Sequence, residues 1–240
     1  MKDAFDRFRE DVDFMWRETT SLATTRRVVA GDLQRSELAM LTLQMYHYVK
    51  YTTPVFREAL TLVPPGAEHD PLRRMLTFFA SDEEGHDRVA LRDLASLGYD
   101  PEACMHTLPL PTTLNLHGAN RLALAEYGPY YLVGETYATE TVGAQMSAAI
   151  HTALVAKPAL ADGIRFYDVH GEADVVHAAR SVEILRIALA DPANRRPILL
   201  GCLTAWRNLA QLAAEVFKAH LYPVEFQLPA PRVGAASGSA

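Results

Sequence analysis

No run in this chain of 240 residues alternates β-branched and polar residues at a period of two, whereas apolar residues recur at helical spacing in one segment after another. A chain of this kind can bury itself only by packing helix on helix, so the expected fold class is all-α. Phe5, Phe8, Val12, Met15, Trp16 and Leu22 keep helical spacing over residues 3–29, and Gly31 ends that helix. Ser36 is placed to N-cap a second helix running from Glu37 to Leu62, which stops before Pro64, Pro65 and Gly66. Asp70 and Pro71 start a third that closes at Leu97 and Gly98. A proline-bearing loop over 100–113 follows, then helices over 119–127, 129–155, 158–189 and 196–221. These make a bundle of about seven helices in one domain, residues 1–228. Residues 229–240 form a tail rich in Pro, Gly, Ala and Ser that is expected to be disordered.

A hydrophobic fraction of 49% with 22% charge suits a globular core, and a net charge of −6 repels both nucleic acid and anionic membranes. The first ten residues mix charges with isolated apolar side chains and lack the apolar stretch of a secretory signal, so a cytoplasmic location is expected. The least polar stretch, Thr141 to Ala156, still carries Gln145, Ser147, His151 and Thr152 and reads as a buried helix, not a membrane span. Cys104 and Cys202 have no close Cys or His partner, which argues against a zinc knuckle, a redox pair or a structural disulfide.

Six residues of metal-ligating type fall on three of the helical segments: Glu83 with His86, then Glu140, then His170, Asp174 and His177. Positions three, four and seven apart share a helix face, so His170, Asp174 and His177 project together, as do Glu83 and His86. Histidine nitrogen mixed with carboxylate oxygen suits iron or manganese, and helical bundles hold pairs of such ions with inward Glu-x-x-His pairs and single carboxylates. Taken singly, each group has a plainer reading as a solvated face or a core ion pair. Val175, Val176, Ala178 and Ala179 leave no evident second apolar stripe on which the last helix could pack with its polar trio in water. Gly85, inside the third helix, suggests close approach of a neighbour. Glu84 is an alternative ligand off the His86 face. Glu140 lies in a helix that is apolar or aromatic almost all round, where a carboxylate is costly to bury unless paired or metal-bound; Glu135 faces the same cost and is its rival, and Arg121 or Arg180 would be an ordinary ion-pair partner.

With Glu83-x-x-His86, Glu140 and His170-x-x-x-Asp174-x-x-His177 in this order, the chain resembles the haem-oxygenase-like di-iron oxidases and oxygenases, which share a fold of about seven helices with the thiaminase II and pyrroloquinoline-quinone synthase C proteins. The likeness covers roughly residues 5–220. The Gln44–Pro54 stretch is similar to the aromatic, His-containing wall of that superfamily's pocket. The resemblance implies two Fe(II) ions, with O2 as co-substrate and an external electron donor. Glu83, His86 and His177 would hold one ion, with His170, Asp174 and Glu140 on the other or bridging. It implies a small amino-acid, amine or fatty-acid substrate, and outcomes such as oxidative C–C cleavage, N-oxygenation or nitrile or alkene formation in specialised-metabolite biosynthesis. Tyr46 and His47 would line the pocket, while Lys50 and Arg165 would receive a substrate carboxylate. The expected assembly is a homodimer.

Two rivals stand beside this reading. A thiaminase II-like hydrolase or a cofactor-free quinone-synthase-like oxidase has the same fold, but the hydrolase needs a nucleophilic cysteine in the pocket. A non-catalytic helical protein would leave the same His and Glu residues solvated.

Overall fold

The computed structural model of the protein describes residues 2–232, the side chains of residues 172 and 174 excepted. Within them the chain is helical and forms no strand: α1 (Ala4–Ser21), α2 (Ala23–Val29), α3 (Arg35–Val49), α4 (Thr52–Leu62), α5 (Asp70–Asp82), α6 (His86–Ser96), α7 (Pro101–Met105), α8 (Pro111–Tyr127), α9 (Tyr131–Val155), α10 (Arg165–Ala188) and α11 (Arg195–Val216). Three of the long helices expected from periodicity are each broken in two. Leu22 turns extended at ψ 136° between α1 and α2, although no Pro or Gly marks the spot. The segment from Lys50 to Tyr51 separates α3 from α4, where Pro54 has no N–H to donate to the Lys50 carbonyl four residues back. Gly85, at φ 95°, separates α5 from α6; a Cβ there would meet nothing within 4 Å, so the glycine serves the left-handed turn and no neighbouring helix requires it.

The expected loop over 100–113 is shorter than its prolines suggest. Asp100 caps α7, and Pro111 occupies the first turn of α8, where its missing N–H costs nothing. The start of α3 also moves: Gln34, not Ser36, caps it, in a reciprocal box with Glu37. Arg232 in the C-terminal segment donates from its backbone N–H to the Gly98 carbonyl at 2.8 Å and pairs with Asp100, while residues 233–240 of the expected tail lie outside the described residues.

Helix α9 is the central rod, flanked by α10 and α11. Its contact with α11 is made glycine to glycine: a Cβ on Gly134 would collide with the Ile198 carbonyl, and one on Gly201 with the Tyr131 carbonyl. Two apolar clusters fill the interior. One gathers Phe5, Phe8, Phe56, Phe79, Tyr137 and Trp206; the other gathers Leu38, Leu43, Leu94, Ile150, Phe166 and Leu212. Between α6 and α10 runs a cap supplied by a different helix, since Asp93 Oδ2 accepts the Phe166 N–H at 2.7 Å and so closes the first turn of α10. No helix of the described residues is long and apolar enough to cross a membrane.

Neither Gly134 nor Gly201 has room for a methyl group. Gly134→Ala and Gly201→Ala should each destabilise by about 3 kcal/mol, at the upper end of ordinary overpacking, and lower Tm by roughly 6–12 °C in a thermal melt. A melt unchanged within 1–2 °C, roughly the effect of a surface substitution, would refute the close helix contact.

Candidate metal centre

The turn between α5 and α6 carries both Glu83 and His86. His86 Nδ1–H donates to Glu83 Oε2 at 2.8 Å. From α10, His170 approaches this pair, its ring centroid 4.7 Å from that of His86. The His170 Nδ1–H donates to the Phe166 carbonyl at 2.7 Å, one turn back, and the Phe166 ring stacks on it at 3.9 Å. That bond fixes the tautomer and leaves Nε2 as a lone-pair donor, the usual arrangement around a metal-binding histidine. Burial drives His170 down to about 4, so it is neutral.

Two turns along α10, His177 is almost fully buried and held on both nitrogens. Its Nδ1–H donates to Glu140 Oε2 at 3.1 Å and its Nε2–H to Asp82 Oδ2 at 2.7 Å, with Glu83 Oε1 3.6 Å from Nδ1. Burial opposes its charge, yet Glu140, Asp82 and Glu83 outweigh that and raise His177 to about 9. Burial likewise works against Glu83, but the hydrogen bond from His86 and the fields of the three imidazoles keep its carboxyl below the usual carboxylate value. Glu140 is raised, by burial first and by Glu83 beside it.

Ligand atoms from these residues fall into two groups, each with all atoms within 4.8 Å of one another: Glu83, His86 and His170, and Glu83, Glu140 and His177. Glu83 is common to both. His170 therefore lies with His86 and His177 with Glu140, a partition different from the one implied by the resemblance. The Asp174 side chain lies outside the described residues. Of the two carboxylates left open on α9, Glu140 is the one beside His177; Glu135 turns elsewhere and accepts from Tyr48 Oη at 2.8 Å and Asn120 Nδ2 at 3.3 Å. Glu84 faces outward to Arg57 at 3.2 Å. Arg121 pairs with Glu58 and Arg180 lies over the Phe78 ring, so neither neutralises Glu140. The donor set suits a first-row metal ion: imidazole nitrogen and carboxylate oxygen, buried, with Glu83 common to both groups.

Around His177, α10 inverts the ordinary amphipathic pattern. His177 is 1% exposed while Val175 and Val176 are 59% and 53% exposed, so the polar side packs inward and the valines meet solvent. Asp82 and Phe166, which orient His177 and His170, went unassigned in the sequence reading; Asp82 directly precedes the ligand turn, and Phe166 lies one turn before His170.

A cavity of about 170 Å³ opens on Glu83, Glu140 and His170. Apolar residues from both core clusters make most of its wall, among them Val28, Leu41, Met45, Phe56, Ile150 and Leu212. Tyr46, His47, Lys50 and Arg165, expected at the substrate, do not line it. Helix α3 presents Leu41, Met45 and Tyr48 to the cavity, and its other face carries the predicted residues. There His47 Nε2–H donates to Thr107 Oγ1 at 2.9 Å, while its Nδ1 accepts from Lys50 Nζ at 3.0 Å. Lys50 also lies over the Tyr46 and Tyr51 rings. Arg165 is exposed. Cys104 and Cys202 are buried thiols outside the cavity wall; burial raises Cys104 to about 11 and Cys202 further still.

Residues 40–209 match the family described as iron-containing redox enzyme. Among solved structures, similar ones include a domain of unknown function with a heme oxygenase-like fold from Shewanella denitrificans, at TM-score 0.78 and 20% identity over 90% of this chain and 93% of that one. A TenA homologue from Pseudomonas syringae pv. tomato superposes at TM-score 0.71 and 12% identity over 89% of this chain and 92% of that one. A TenA homologue from P. horikoshii gives 0.68 and 15% over 90% of this chain and all of the other (100%). At these identities the likeness establishes the haem-oxygenase-like fold alone. No curated protein matches the chain.

Two measurements follow. His177 at about 9 stands above its ordinary 6.5, so its share of metal-free stability is whole below pH 6.5 and is lost as pH rises through 9. Denaturant titrations of chelated protein should show that loss, and His177→Gln should flatten it; a parallel decline in the variant would contradict the pairing. Ferrous ion at about a hundredfold over its Kd should add about 2.7 kcal/mol, raising Tm by roughly 5–10 °C in a melt under anaerobic conditions, and an unmoved melt would leave the centre without a metal.

Proposed function

The chain belongs to the family of iron-containing redox enzymes, and from that premise we propose that it is a non-haem di-iron oxidase or oxygenase that uses O2 on a small, largely apolar substrate. The observation that carries this reading is the pair of ligand groups sharing Glu83 at the mouth of the cavity. Glu83, His86 and His170 would hold one ion; Glu83, Glu140 and His177 would hold the second. Iron bound there supplies electrons to dioxygen, chemistry no side chain provides.

The protein's own contribution is positional. Phe166 fixes the His170 ring and tautomer through its carbonyl and its stacked face, and Asp93 holds the first turn of α10 on which both depend. Asp82 and Glu140 orient His177, which must give up a proton to coordinate. The apolar wall keeps water from the reacting end and leaves the substrate's hydrocarbon portion to be held by shape. A small amino acid, amine or fatty acid acted on in specialised-metabolite biosynthesis fits a chamber of this size.

The TenA-type folds raise a hydrolase as the second reading. That chemistry needs an activated cysteine beside the substrate, and both thiols here are buried, protonated and away from the cavity, which favours the redox reading.

Anaerobic ferrous loading should give about two iron ions per chain, falling below one for Glu83→Ala because it belongs to both groups, and oxygen admitted to the loaded protein should be consumed. Protein that binds no iron stoichiometrically, yet releases product from a thiamin-like substrate, would overturn the proposal.

A further inference from the structure

Glu135 is the one described carboxylate of the cavity wall that belongs to neither ligand group. It is 4% exposed, and its hydrogen bonds fall on one oxygen: Tyr48 Oη and Asn120 Nδ2 both donate to Oε1, and no described group donates to Oε2. The carboxylate is thus anchored on one side and left with unused acceptor capacity on the other, a state that is costly in an apolar surround. The wall contains no Lys or Arg among the described residues. Its other unpartnered polar atoms are neutral: the Thr19, Thr25 and Tyr167 hydroxyls.

We propose that Glu135 is the substrate-recognition carboxylate of this cavity and that its second oxygen receives the protonated amine of a small aliphatic substrate. The inference rests on reading the cavity as the substrate chamber of the metal centre, and it narrows the substrate class to amines. A substrate carboxylate beside Glu135 would face a like charge with no Lys or Arg to offset it, whereas an ammonium meets an anion already held in place. Tyr48 reinforces the arrangement, because burial and then Glu135 hold its phenol well above its usual value and keep it a donor. Burial also raises Glu135 to about 7, so near neutrality a bound cation completes the ionisation that the empty apolar wall opposes. Glu135 would be a binding residue, with no part in coordinating iron.

The test compares n-hexylamine with n-hexanoate by calorimetry on anaerobic, ferrous-loaded protein, wild type and Glu135→Gln, with iron content measured on the same samples. The amine should bind about tenfold or more tightly than the acid, and Glu135→Gln should weaken it by about tenfold or more with iron content unchanged, the scale of one charge-assisted hydrogen bond. Hexanoate binding as tightly as hexylamine, or a variant that binds the amine like wild type, overturns the assignment. The amine-over-acid comparison is read on wild type alone and so decides the matter even if the variant does not fold. Protein that lacks iron but still prefers the amine would sink the di-iron reading and leave Glu135 in its role.

Discussion

Burying Glu83 is the constraint on which the rest of the molecule turns. A carboxylate with almost no contact with water is tolerated only where cations or strong donors surround it, and here His86, His170 and His177 arrive from two further helical segments to do so. Two of these imidazoles are in turn held by other groups, His170 by the Phe166 carbonyl and His177 by the Asp82 and Glu140 carboxylates. The helices that carry these groups are locked by contacts unrelated to chemistry, namely the glycine contact of α9 with α11 and the Asp93 cap that ties α6 to α10. One fold can host unrelated chemistries, so the scaffold does not choose the reaction. In this chain the donor atoms beside the cavity carry the chemical argument.

The all-α class and the convergence of five of the six expected ligands were legible in the sequence, because periodicity places residues of one helix on a common face and a buried carboxylate demands a partner. The helix breaks were less so. Gly85 was visible as an anomaly, but a left-handed φ and a close helix contact look the same in a string of letters, and only the turn explains it. The break near Tyr51 has a local cause in Pro54, which cannot donate back to the Lys50 carbonyl, whereas no Pro or Gly marks the one at Leu22.

The lining of the cavity was hard to read for a related reason. Periodicity reports which residues share a face, not which way that face points. On α3 the aromatic and charged residues Tyr46, His47 and Lys50 drew attention, yet the cavity takes Leu41, Met45 and Tyr48 from the opposite side. On α10 the same ambiguity had a resolving clue: two consecutive valines, Val175 and Val176, cannot both be core if the histidines are. Glu135 and Glu140, five positions apart on α9, point to different neighbours, one to Tyr48 and Asn120 and the other to His177.

Because the chain reverses handedness at Gly85, Glu83 closes one rod and His86 opens another. The two ligands are rigidly joined to different parts of the bundle: Glu83 follows α5, whose Phe79 stacks on Phe56 of α4, while His86 follows α6, packed on α3. Any slight tilt of one rod against the other alters the span between these two donors without stretching a single intrahelical bond. The distance between the two side chains is therefore an adjustable dimension, set by packing far from it, and repacking distant aromatics would change it while leaving Glu83 and His86 themselves in place.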